Sequence, residues 1–135
     1  MHDRILMAVA PDHMDALPDL LAAARALASE GAEITALSVV QEAPAYLDFP
    51  APVPVYDEAR DEIAARLATA LDGVEGVHAD VRIGTPSAVI EQVCTEGGHD
   101  VVIVRSHRPA LSDWVLGSTA ARVVRRVPCS VHVIR

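Results

Sequence analysis

Short apolar runs alternate with segments of helical period along this chain, and that alternation leaves few folds open. Residues 4–10 (RILMAVA) form an almost unbroken apolar run that stops at Pro11-Asp12, the pattern of a strand covered on both faces. Leu17, Leu20, Leu21, Ala24, Leu27 and Ala28 then recur at helical spacing, with Gly31 placed to cap that helix. Residues 34–40 (ITALSVV) read as a second strand. A helix over 56–71 follows, with Ala59, Ile63, Leu67, Ala70 and Leu71 on one face and Gly73 and Gly76 ending it. Residues 77–83 (VHADVRI) alternate apolar with polar, which implies one wetter face and therefore an edge strand. Gly84-Thr85-Pro86 makes a strand-to-helix turn, with Thr85 as cap and Pro86 at the first helical position, before Val89, Ile90, Val93 and Cys94 face the core. A buried strand at 101–104, a helix at 116–127 and a final strand at 129–134 complete the series. Strands separated by helices run parallel through right-handed crossovers. The expectation is a single α/β domain over 1–135, a doubly wound five-stranded parallel sheet with four helices.

One stretch breaks the alternation. Residues 41–54 hold Pro44, Pro50, Pro52 and Pro54 together with Tyr46 and Phe49, and show neither period. This is the longest loop and the expected place for mobility. A flap over a ligand site and a solvated connector with two aromatics tucked onto the domain are equally consistent with it.

In a doubly wound sheet a ligand binds outside the carboxyl ends of the strands, where the strand order reverses. The loops at 9–13, 39–42 and 105–118 are therefore the candidate site. Other classes of function find little support. The net charge is −8 and the basic residues are dispersed apart from Arg122, Arg125 and Arg126, so no nucleic-acid partner is expected. The start, Met1-His2-Asp3-Arg4, lacks the pattern of a signal peptide, and no apolar stretch nears the ~20 residues of a membrane span. A cytoplasmic protein with no membrane partner is expected. The two cysteines, Cys94 and Cys129, sit in apolar patterns and read as buried thiols in a reducing compartment. The six histidines show no metal-ligand spacing, and neither a Gly-x-Gly-x-x-Gly nor a Walker-type loop occurs.

Residues 101–135 read VVIVRSHRPALSDWVLGSTAARVVRRVPCSVHVIR. A strand, a Ser/His loop, a Leu116-Gly117-Ser118 helix start and a Pro128-Cys129-Ser130-Val131 strand follow in order. This resembles the C-terminal signature of the universal stress protein family, and Ser106-His107-Arg108-Pro109 is similar to its small stand-alone branch. The resemblance implies a flavodoxin-like strand order, 3-2-1-4-5, a homodimer, and an adenine nucleotide, ATP or AMP, in each subunit. The final strand, 129–134, would then lie at a sheet edge, apolar enough to pair with a second copy.

Gly117 and Ser118 open a helix whose unpaired N–H groups and dipole attract phosphate, with Thr119 beside them. The base would rest near Val9, Val39 and Val104, where backbone groups could read its edge. Ser106 and His107 belong to the signature loop, His107 either structuring it or touching ribose or phosphate. Nucleotide-binding members carry Gly-x2-Gly-x9-Gly before the serine. Arg105 and Arg108 stand at the first two glycine positions here, and the loop to Gly117 is one residue shorter. Arginine can clasp polyphosphate bidentately. Ala10 takes the place of the family's aspartate after the first strand, and Asp12 is the nearest substitute. Asp12 and Asp113 are the acids available to hold Mg2+ with the phosphates. No nucleophile elbow or paired-carboxylate motif appears, so a binding protein with at most slow hydrolysis is expected. The alternative is a dimeric interaction protein with a degenerate site, and an enzyme acting on an adenylylated substrate is a weaker third.

Overall fold

The computed structural model describes residues 1–42, 53–106 and 116–135. The chain runs β1 (His2–Ala8), a 3-10 turn (Met14–Ala16), α1 (Leu17–Leu27), β2 (Ala28–Gln41), α2 (Val53–Ala70), β3 (Val77–Gly84), α3 (Pro86–Gly97), β4 (Val101–Arg105), α4 (Ser118–Arg126) and β5 (Ser130–Ile134). All strand pairs are parallel and the order is β3-β2-β1-β4-β5. The doubly wound sheet, its order and the edge position of β3 are as expected.

The unbroken apolar run in β1 has a direct cause. Ile5 and Met7 point into one core with Leu17, Leu20 and Ala24 of α1 and Leu67 of α2. Leu6 points into the other, with Ile90 and Val93 of α3 and Val123 of α4. A strand at the middle of a sheet covered on both sides has no polar face to offer. Ser38, fully buried in β2, is satisfied by donating its hydroxyl to the Val9 carbonyl at 2.8 Å.

Several boundaries differ from expectation. β1 spans His2–Ala8 rather than 4–10, because Ala10 already accepts a turn hydrogen bond from the His13 N–H at 2.9 Å. Gly31 does not cap α1. That helix ends at Leu27, its C-cap Ala28 is extended, and Gly31 (φ 77°) bends the early part of β2. The β1–β2 register passes from His2 opposite Ala28 to Arg4 opposite Glu33, so β2 carries extra residues there, and a left-handed glycine absorbs them. Thr85 stands before α3 in an extended conformation, as a cap should, yet its hydroxyl makes no capping bond; Pro86 occupies the first turn as expected. α4 starts at Ser118 rather than 116, and β5 excludes Cys129. The expected loop at 41–54 shortens from both sides: Gln41 ends β2 and α2 begins at Val53, while 43–52 lie outside the described residues.

The amino ends of the strands are fastened by one carboxylate. Asp100 Oδ2 accepts from the N–H groups of Asp3 (2.8 Å) and Arg4 (3.4 Å), and Oδ1 pairs with His2 Nδ1 at 3.1 Å. Burial works against its charge, but these bonds and His2 outweigh it and hold the carboxyl below its ordinary range. The pKa of neighbouring His99 is lowered too, but here the charged form is the one disfavoured: burial, helped by the Arg4 charge, works against the imidazolium despite the Val93 carbonyl, the Cys94 carbonyl and Asp100. With its folded pKa lowered, His99 takes up a proton more readily in the unfolded chain. Its contribution to stability is complete above the ordinary histidine pKa of about 6.5 and is lost as pH falls through that value toward the folded one. Thermal unfolding from pH 8 to pH 5 is expected to show this loss, and His99→Gln to flatten that part of the profile.

Candidate functional site

A cleft of about 530 Å3 opens at the carboxyl ends of β1, β2 and β4. Its base is Val9, Val39 and Val104, all buried, where three parallel strands end side by side. Ile90 of α3 and Ala120 of α4 wall one side, and Ala59 and Ile63 of α2 another. The interior is mostly apolar, with Asp12, His13, Gln41, Arg105 and Thr119 as its polar lining. A slot of this shape suits a flat, largely apolar ring with a polar tail leading out.

Of the twelve residues expected at a site, seven line this cleft: Val9, Ala10, Asp12, Val39, Val104, Arg105 and Thr119. Ser106, Gly117 and Ser118 do not line it but form the adjoining turn, where the Gly117 N–H donates to Ser106 Oγ at 3.4 Å. His107 and Arg108 lie outside the described residues, as do Asp113 and Trp114. Sequence reasoning missed Ala59, Ile63, Pro86 and Ile90. The helical spacing of Ala59, Ile63 and Ile90 marks them as inward-facing, and periodicity does not distinguish a core from a cleft wall.

The backbone at Val9 is less available than its position suggests. Its N–H donates to the Leu37 carbonyl at 2.8 Å and its own carbonyl accepts from Ser38, leaving one lone pair. Gly117 precedes α4 with an extended conformation (φ −58°, ψ 154°) and no side chain caps the helix. Among the described residues no side chain accepts from the first N–H groups of α4, and the helix dipole favours an anion beside them. Arg105 Nη1 bonds Asp19 Oδ2 of α1 at 3.2 Å, across the rim. Asp12 is largely exposed, with His13 Nε2 at 3.8 Å. Among the described residues no group of three His, Cys, Asp or Glu is placed to hold a metal ion, and no helix is long and apolar enough to cross a membrane.

Comparison with known proteins agrees with this architecture. UspA from Lactobacillus plantarum superposes with a TM-score of 0.73 at 28% identity, covering 98% of this chain and 97% of that one. A universal stress protein solved in complex with cAMP gives 0.66 at 16% identity, covering 99% and 97%. One from Burkholderia pseudomallei gives 0.58 at 20%, covering 98% and 95%; at these lower identities the likeness is one of fold. Universal stress protein G of Shigella flexneri and of Escherichia coli O157:H7 is 36% identical over 55 residues, 41% of this chain and 39% of the length of those curated relatives. The model of the universal stress protein family matches residues 1–135. With strand order, cleft and signature helix all in place, this chain belongs to the universal stress protein family.

Proposed function

We propose that the cleft binds an adenine nucleotide, ATP or AMP, and that the protein is a cytoplasmic stress-response or regulatory protein that responds to it. The observation that carries this reading is the adjacency of the apolar cleft over Val9, Val39 and Val104 to the start of α4 at Gly117-Ser118, which no described side chain caps. The base enters the slot, and the phosphates reach the N–H groups of α4. Arg105 lines the same cleft as a cation and can leave Asp19 for phosphate. Mg2+ would accompany ATP through the phosphate oxygens, with Asp12 in the cleft lining as a nearby acid. The relative solved with cAMP adds that an adenine nucleotide can be held by a chain of this fold.

A second reading, a dimeric interaction protein with a degenerate site, draws on the Arg105–Asp19 pair. An arginine stands at the first glycine position of the family's pattern, and its ion pair crosses the rim. Isothermal titration with ATP and with AMP, with and without magnesium, separates the two. Saturable binding supports the nucleotide reading; no heat and no thermal stabilisation at millimolar ATP leaves the interaction protein.

The homodimer is proposed to form through β5. Among the described residues this edge strand pairs only with β4, which leaves its outer side to meet a second copy. Deleting 131–135 is expected to yield monomers or insoluble chains by size-exclusion chromatography. A soluble dimer of native size after the deletion would overturn this assembly.

A further inference from the structure

The two cysteines, thirty-five positions apart in sequence, meet in space. Cys94 Sγ lies 2.9 Å from Cys129 Sγ, and both are free thiols. Cys94 is on the last turns of α3, 1% exposed, with its sulfur also 3.7 Å from the His99 carbonyl. Cys129 is half-buried rather than buried, in the short turn between α4 and β5. A disulfide has sulfurs about 2.05 Å apart, so bond formation needs an approach of less than about 1 Å. Both segments are held where they are by packing, since Val93 and Cys94 share a core with Val123, Val127 and Val131.

We propose that Cys94 and Cys129 are a reversible oxidation site, closing an intramolecular disulfide on exposure to a peroxide and tying α3 to the start of β5. Cys129 is the accessible sulfur and reacts first. Its thiol loses its proton to solvent, and the thiolate attacks one peroxide oxygen. The O–O bond breaks, and the released hydroxide takes up a proton to give water. Cys129 is now a sulfenic acid, oxidised by two electrons. The Cys94 sulfur attacks it, the S–O bond breaks, and the departing hydroxyl leaves with the Cys94 proton as a second water. The sum is two thiols and one peroxide giving one disulfide and two waters. Burial, reinforced by the neighbouring Cys129, pushes the Cys94 thiol up to about 12, in keeping with its role as the resolving sulfur rather than the initial nucleophile.

The bond would enclose β4 and α4, including the Gly117-Ser118 end of the cleft, in one covalent loop. Such a loop removes conformations from the unfolded chain and should raise the melting temperature by roughly 10 °C. The test treats the purified full chain with hydrogen peroxide, then maps peptides without reduction and measures melting. The expected result is a Cys94–Cys129 peptide pair lighter by two hydrogens, no titratable thiol, a raised melting temperature, and reversal by dithiothreitol. Cys129→Ser and Cys94→Ala should each lose the rise. If Cys94→Ala fails to fold, the peptide map of the native chain decides by itself. Sulfinic acid at Cys129 beside a reduced Cys94, or a disulfide only between two chains, would overturn the proposal.

Discussion

Gly117→Asp is expected to abolish ATP binding while leaving the fold intact or slightly more stable. The backbone at Gly117 has negative φ and extended ψ, a conformation that an aspartate adopts without backbone strain. Aspartate is also among the best residues for this position, and replacing an uncapped start with it is worth a few tenths of a kcal/mol. The stabilisation and the loss of binding share one origin. The new carboxylate accepts the same α4 N–H groups that would hold phosphate and sets a negative charge against the ligand. Two unit charges 4 Å apart near a protein surface repel by about 4 kcal/mol, of which salt and solvent leave a part. A fall in affinity of about a hundredfold or more, about 2.7 kcal/mol, is expected by calorimetry. An unchanged or slightly raised melting temperature without ATP, and the disappearance of the ATP-induced shift, would complete the pattern. Equal affinity in the variant would remove the α4 start from the site.

Gly84→Ala carries the largest expected effect on stability. Gly84 ends β3 at φ 154°, outside the range of ordinary side chains, and a Cβ built there would stand 2.8 Å from Val89 Cγ2. Strain at such a φ costs about 1–3 kcal/mol, and overpacking a filled site costs a similar amount. A loss of about 3 kcal/mol is expected, or roughly 10 °C in melting temperature. The double variant Gly84→Ala/Val89→Ala separates the causes. Removing Cγ2 relieves the clash and not the backbone strain, so the second change should cost less in the Gly84→Ala background than alone. Strict additivity would show that Val89 is not the obstruction. Because Pro86 and Ile90 of the following helix line the cleft, the single variant should also weaken the ligand.

Much of this architecture is written locally. The unbroken run in β1, the alternation in β3 and the inward faces of α1 and α3 each follow from which neighbours cover the element. Burial leaves that record in hydrophobic period. The errors came where local preference competed with pairing. Gly31 satisfies every local rule for a helix cap, but parallel pairing with β1 extended the chain from Ala28 onward, and the glycine became a bend within β2. Thr85 is a good cap by composition, yet its hydroxyl goes unused.

The candidate site divides along the same line. Val9, Val39, Val104 and Gly117 were legible because the carboxyl ends of parallel strands and the starts of helices are positions a sequence can mark. The α2 and α3 walls were not, since an inward residue near a helix end looks the same over a core as over a cleft. Arg105 was visible as a departure from a glycine pattern, but only the fold pairs it with Asp19, eighty-six positions away. The contact of Cys94 with Cys129 is likewise tertiary. By itself, then, the sequence determined the class of fold, the element order and the end of the sheet where the cleft opens, because periodicity and helix-start chemistry are local. The tertiary structure alone decided which side chains enclose the cleft, which cation crosses its rim and which thiols touch. Those distances are set by the packing of segments far apart in the chain, and no local pattern records them.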